Sequence, residues 1–190
     1  MKINKTEAKS IILEKLKEHK NDTPFLIVID GKSASGKTTF STQFNIPVIH
    51  TDDFYRPRDR EGKLALRKYS GNFDLERFKK EVSSHITDKN GFSYGVFDCA
   101  SGVIKSHKSI PSSNAYIIDG AYAMHPELGI KPDLSFFFTI SDNEQKKRII
   151  ARNGNSAYEK FKQIWIPAEE EYFVHFNIEN LTDYIVTTEC

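Results

Sequence analysis

The stretch Gly31-Lys32-Ser33-Ala34-Ser35-Gly36-Lys37-Thr38 satisfies the pattern G-x-x-x-x-G-K-[ST] in full. Each residue type meets a need of phosphate binding. Glycines let the backbone curl until successive N–H groups point inward as an anion nest. A helix beginning near Lys37 would add the partial positive charge of its N-terminus. The Lys37 ammonium would reach the outer phosphates as a point charge. The Thr38 hydroxyl could ligate Mg²⁺. Gly31, Lys32, Ser33, Ala34, Ser35, Gly36, Lys37, Thr38 and the adjoining Thr39 are therefore expected to hold a nucleotide. The competing reading is a chance Gly/Ser loop. A buried strand before the loop and a helix after it favour the phosphate site.

Three further carboxylate positions end expected strands: Asp30, the pair Asp52-Asp53, and Asp119. In an open parallel sheet, ligands bind beyond the carboxyl ends of the strands. Asp119 closes Tyr116-Ile117-Ile118-Asp119, which has the form of a Walker B strand. It could join a metal shell or simply make a turn. Of Asp52 and Asp53, one is expected to be a surface or capping residue. A hydroxyl is a poor nucleophile until its proton leaves, and a carboxylate near the γ-phosphate can take that proton.

The surrounding elements must place these groups. Asn4 with Glu7 reads as a capping box, and Ala8, Ile11, Ile12 and Leu16 continue a helix to about His19. Phe25–Ile29 is a continuous apolar run, as in a strand buried on both faces. Pro47–His50 reads as a second strand. The charged segment from Tyr55 to Asn72 is irregular, and so long a loop is functional or mobile. Asp74 caps a helix carrying Leu75, Phe78, Val82 and Ile86 on one side. Residues 91–106 suggest a hairpin. Ala115–Asp119, Leu134–Ile140 and Leu181–Thr187 read as strands, and Asp142–Arg152 as a helix. A last helix is expected over 157–176, bent or divided by Pro167. Strands alternating with helices predict an α/β fold, three layers deep, with a mostly parallel sheet.

On that last helix, Trp165, Tyr172 and Phe173 are expected to be core, and Glu169-Glu170-Glu171 a solvated run. Arg148 and Arg152, four apart on one helix, can point the same way and contact nucleotide. Cys99 has no adjacent base and reads as an inert buried thiol. His125, beside Pro126, reads as structural or as an extra substrate contact.

Composition narrows the class. The chain has 190 residues and a formal net charge of +1, with 27 Lys plus Arg against 26 Asp plus Glu. That balance excludes a basic nucleic-acid coat. Aromatic residues at 12% argue for a packed core rather than disorder. Two cysteines make neither a disulfide framework nor a zinc cluster, which suits a reducing compartment. The first ten residues are polar, and the longest apolar runs are too short to cross a bilayer. A soluble cytoplasmic protein without nucleic-acid or membrane partners is expected.

Val28–Thr38, followed by Thr51-Asp52-Asp53-Phe54-Tyr55-Arg56-Pro57, resembles the uridine kinase family of P-loop kinases. Asn72-Phe73-Asp74 and Ile117-Ile118-Asp119-Gly120 are similar to further family motifs, and the likeness extends from about Phe25 to about Arg152. The resemblance implies an ATP- and Mg²⁺-dependent kinase. By it, Asp52 takes the proton of the acceptor hydroxyl and sits near the metal, with Lys37 on the transferred phosphate. Asp74 matches an aspartate that holds ribose hydroxyls. Asp119 and Thr38 match metal-shell positions, and Arg148 and Arg152 match lid arginines. Tyr55 and Phe97 fall on the acceptor side. Phe97-Asp98-Cys99 stands where nucleoside kinases of the family have Tyr-Asp-Phe, so a tyrosine hydroxyl is missing. The resemblance implies one kinase domain over 1–190, with substrate-side insertions at about 55–72 and 91–106 and a short lid at about 152–157. The acceptor is a small-molecule hydroxyl: a nucleoside first, a sugar, glycerate or pantothenate-like alcohol second. A nucleotide-hydrolysing switch is the third reading.

Overall fold

A computed structural model describes residues 1–59, 61–64 and 66–188. Its strands are β1 (Lys2–Ile3), β2 (Phe25–Gly31), β3 (Val48–His50), β4 (Phe92–Asp98), β5 (Val103–Ile110), β6 (Ala115–Asp119), β7 (Leu134–Thr139) and β8 (Tyr184–Thr187). Six of them form one parallel sheet in the order β1-β8-β7-β2-β6-β3, while β4 and β5 make a separate antiparallel hairpin. The phosphate-loop strand β2 lies between β6 and β7. The chain leaves β2 for the edge at β3, returns to β6, then crosses to β7 on the far side. Loops at the carboxyl end therefore diverge around β2, the arrangement that opens a crevice for ligands.

The helices are α1 (Lys5–Glu18), α2 (Lys37–Ser41), α3 (Leu75–Phe78), α4 (Asp142–Asn153), α5 (Asn155–Lys160), α6 (Ile166–His175) and α7 (Ile178–Leu181). Successive residues of each buried strand feed opposite layers, as a pleated strand requires. Val28, Ile118 and Phe137 join Phe78, Tyr172 and Phe173 on one face. Ile27, Ile29, Ile117 and Phe136 join Ala8, Ile12 and Phe40 on the other. Three layers result, as the sequence pattern predicts.

The ends of the elements follow local chemistry. Asn4 and Glu7 form the capping box of α1. The Asp74 side chain accepts from the Arg77 amide and caps α3. A π-helical stretch, Lys79–Ser83, extends α3. Pro167 lies in the first turn of α6, directly after a second π stretch, Phe161–Trp165, that joins α5 to α6. Proline cannot donate an N–H, and the wider turn absorbs the missing bond. Pro167 thus divides the last helix as expected, although α5 already begins at Asn155.

Element ends differ from the sequence reading in places, and β5 carries the hairpin expected over 91–106 on to Ile110. The strand expected over Leu181–Thr187 begins only at Tyr184, because Ile178–Leu181 is a helical turn whose Leu181 is exposed. Strand β1 was not expected: two residues are too few for a periodic signal. Among the described residues, no helix is long and apolar enough to cross a membrane.

Candidate active site

The phosphate loop bridges β2 and α2. Its backbone enters the left-handed region at Ala34 (φ 61°) and Gly36 (φ 90°), which turns successive amides inward to form a nest. Gly31 is fixed by close approach: a Cβ there would stand 2.1 Å from the Phe138 carbonyl oxygen of β7. Lys37 Nζ donates to the carbonyls of Gly31 (2.7 Å) and Lys32 (2.9 Å), so the ammonium spans the loop. Ser35 Oγ is buried without a hydrogen-bond partner. A loop of inward amides with an ammonium and an unsatisfied hydroxyl fits a bound phosphate group.

A cleft of about 460 Å³ opens over this loop. Ser33, Ala34, Gly36, Lys37, Thr38 and Thr39 line its floor. Lys5, Arg148, Arg152 and Thr188 line one end; Asp52, Tyr55, Tyr122, Trp165 and Glu169 also contribute to the wall. Arg148 and Arg152 thus share one face, as their spacing predicts. Arg148 also reaches the Ala34 carbonyl and Thr188 while pairing with Glu144 at 2.8 Å. Lys32, by contrast, turns to Asp142 (3.0 Å) and Glu170 (3.4 Å) and does not line the cleft.

Asp52 and Asp53 part ways. Asp52 faces the cleft and accepts from the Tyr55 hydroxyl at 2.8 Å. Asp53 points back into the protein, where it accepts from the Tyr94 hydroxyl at 2.9 Å and burial raises its pKa. The turn that carries both is held by Phe54, which packs fully buried on Phe73, Phe78 and Tyr94. Arg77 lies over the Phe54 ring at 4.5 Å and donates to the backbone of Asp53 and Gly95. Truncating such a ring costs about 3–5 kcal/mol, so Asp52 stands on a stiff support.

The other expected residues lie off the cleft wall. Asp119 is 1% exposed; its oxygens take Ser41 Oγ at 2.6 Å and His50 Nδ1 at 2.5 Å. That carboxylate raises the His50 pKa. Asp74 serves as the α3 cap, 3.9 Å from the Arg56 guanidinium. Phe97 reaches the cleft only indirectly, edge-on to the Tyr55 ring at 6.1 Å. His125 is buried and stacks on Tyr172, away from the cleft.

Three residues depart from the expectations for them. Trp165 is not core: it lines the cleft and stacks with Tyr55 at 6.0 Å. Glu169 is not solvated: it is 6% exposed, accepts from Ser33 N at 3.0 Å, and pairs with Ser33 Oγ. Burial pushes its pKa up to about 7, against Lys37 and the Ser33 hydrogen bonds. Cys99 is exposed, not buried. The signal for the first two was present in the sequence. Phe161, Trp165 and Glu169 recur at intervals of four, a stripe on one helix face. The neighbouring acidic residues hid it.

One buried knot ties these parts together. Asp30, fully buried at the end of β2, accepts from Gly31 N (2.6 Å), Met124 N (2.9 Å) and the Tyr172 hydroxyl (2.8 Å). Burial raises its pKa to about 6 despite those bonds.

Two uridine kinases, from two strains of Ureaplasma parvum serovar 3, are 27% identical to the chain over 157 residues, covering 75% of this chain and 75% of each relative. The chain is thus similar to uridine kinases over three quarters of its length. No protein-family model matches it. A solved structure described as a possible uridine kinase from Bacillus stearothermophilus shares the fold. It superposes with a TM-score of 0.67 at 17% identity, covering 93% of this chain and 96% of that one. In this chain the sheet, phosphate loop and Asp52 turn all meet at one cleft.

Proposed function

We propose that the chain transfers the γ-phosphoryl group of ATP to a hydroxyl of a nucleoside-like acceptor. The observation that carries this reading is the single cleft shared by the phosphate loop and the Asp52–Tyr55 turn. Asp52 would take the acceptor proton as the acceptor oxygen forms its bond to the γ-phosphorus. The bond to the bridging oxygen breaks and ADP leaves. Lys37 and the loop amides would stabilise the charge spreading over the phosphoryl oxygens. Arg148 and Arg152 would meet the nucleotide from α4.

Mg²⁺ suits the hard oxygen donors on the wall, Thr38 and Asp52. Among the described residues no group of three or more His, Cys, Asp or Glu could hold a metal. That favours an ion shared with the phosphates, which neutralises their charge when bound. Asp119 would act from behind, through Ser41 and His50. Asp74 and Phe97 would join the acceptor side when the segments at about 55–72 and 91–106 close around it. The junction at about 152–157, a single glycine between α4 and α5, would serve as the lid. The reading comprises one kinase domain over 1–190, at work in the cytoplasm, where an exposed Cys99 thiol stays reduced.

ADP formation with and without uridine, cytidine and non-nucleoside alcohols tests the reading. Turnover should require an acceptor. Hydrolysis that ignores the acceptor would point to a switch instead.

A further inference from the structure

Lys5 lies outside the stretch, from about Phe25 to about Arg152, that carries the family likeness, yet it lines the cleft beside Gly36, Lys37 and Thr38. The fold fixes its place. Strand β1 runs parallel to β8, with Lys2 opposite Ile185 and Ile3 opposite Val186. The chain therefore leaves β1 at the carboxyl end of the sheet, where the phosphate loop also lies. Helix α1 begins there with Lys5 as its first residue, and the Asn4–Glu7 capping box holds that turn with bonds of 2.7 and 3.0 Å. Ala8 and Ile12, fully buried, pack α1 into the same cluster as Ile29 and Phe40, one on each side of the loop. Helical side chains lean toward the N-terminus of their helix, so Lys5 reaches past the end of α1. Its Nζ stands 3.2 Å, and its Cε 3.9 Å, from the point a Cβ would occupy on Gly36. We propose that Lys5 is a second phosphate-binding lysine of the nucleotide site, supplied by α1 and not by the loop itself. The proposal rests on the nucleotide half of the kinase reading and deepens it.

The two lysines divide the loop between them. Lys37 is tied to its first carbonyls, at Gly31 and Lys32, whereas Lys5 stands at its last glycine. A polyphosphate chain lying along the loop would meet an ammonium at each end. The first turn of a helix already carries partial positive charge, so a lysine there stands where its charge weakens the helix. A polyphosphate is the ligand that turns this placement to advantage. The wall has the matching sign: Lys5, Lys37, Arg148 and Arg152 line it with two carboxylates, Asp52 and Glu169. Such an excess of one sign concentrates an anion of several charges. An ammonium on a phosphate oxygen is a charge-assisted bond, and its loss weakens binding by on the order of 10-fold.

Three variants change the charge in steps. Lys5→Met keeps the apolar stem, Lys5→Arg keeps the charge, and Lys5→Glu reverses it. Each is titrated by calorimetry with a non-hydrolysable ATP analogue, with inorganic tripolyphosphate and with adenosine. Lys5→Met should weaken the analogue and tripolyphosphate alike by on the order of 10-fold, and Lys5→Glu by on the order of 100-fold. Lys5→Arg should stay within about 3-fold of the wild type. Adenosine, which has no phosphate, should not distinguish the four proteins. A packing role would not order the variants by charge, and that result overturns the proposal. A second measurement needs no variant: tripolyphosphate should slow reductive methylation of Lys5 in the wild type, read by mass spectrometry. Methylation at the same rate with and without it, or equal affinity of wild type and Lys5→Met for the analogue, overturns the proposal and leaves the nucleotide reading standing. A wild type that binds neither the analogue nor tripolyphosphate refutes the nucleotide reading itself.

Discussion

Replacing Glu169 by Gln should stabilise the ligand-free protein at alkaline pH and weaken it slightly in acid. Burial moves the carboxyl from 4.5 in the unfolded chain to about 7 in the folded one. Between those values the folded state holds a proton that the unfolded state has released. Stability therefore falls as pH rises through that window, and the loss is complete above about 7. At about 1.4 kcal/mol for each pH unit, the span from 4.5 to about 7 amounts to about 3 kcal/mol. Gln is neutral throughout, but its oxygen can accept from only one Ser33 donor where the carboxylate accepts from two. The lost bond costs about 1 kcal/mol. The variant should thus be about 2 kcal/mol more stable at pH 8, a Tm higher by about 4–8 °C in a chain of this size. At pH 4 it should be about 1 kcal/mol less stable. Melting curves of both proteins from pH 4 to 8, without nucleotide, should cross at about pH 5–6. Parallel curves would refute the burial of a carboxylate against the phosphate loop.

Lys37→Ala should abolish transfer and lower stability by about 1–3 kcal/mol, since its ammonium meets two loop carbonyls and not the apolar core; a melt and an ADP assay check both. Asp52→Asn should lower kcat by about 10²–10⁴-fold with a near-normal melt, and a near-normal kcat would remove it as the base. Asp74→Ala should cost about 1 kcal/mol as a lost helix cap; a raised acceptor KM on top of that would place it against the acceptor in the closed state. Gly31→Ala should unfold or severely destabilise the protein in a urea titration, because the new Cβ would meet the backbone of β7. Amide hydrogen exchange over 152–165 should slow when nucleotide and acceptor bind together, and unchanged protection would argue against a closing lid.

The fold was readable because its signals are local and repeated. Continuous apolar runs at Phe25–Ile29 and Ala115–Ile118 mark strands covered on both faces, and the caps at Asn4 and Asp74 mark helix starts. The phosphate loop was readable because its chemistry depends on consecutive residues. The Asp52–Tyr55 turn was readable for the same reason. The far wall was not, because Glu169 reaches the loop, and Trp165 the Tyr55 ring, across more than 100 residues of chain. Within Glu169-Glu170-Glu171, only the spacing of four from Phe161 and Trp165 separates the glutamate that will be buried against an amide from its two neighbours. Only the helix register decides, and a π stretch just upstream shifts that register. Asp119 illustrates the converse. Its strand was legible, yet the partners that turn it from the cleft, Ser41 and His50, lie on other elements.

The knot at Asp30 makes α6 a lever. Its fulcrum is Tyr172, pegged by its hydroxyl to the end of β2. At about 1.5 Å of rise per residue, Glu169 lies only about 4.5 Å from that peg, Trp165 about 10 Å and Phe161 about 16 Å. A small tilt about Tyr172 therefore carries Phe161 through an arc more than three times that of Glu169. Glu169 can stay seated on the phosphate loop while Trp165 swings aside. Such a tilt would move the Phe161 end of the wall most and the phosphate-loop end least, so the wall would widen without uncovering the loop to water.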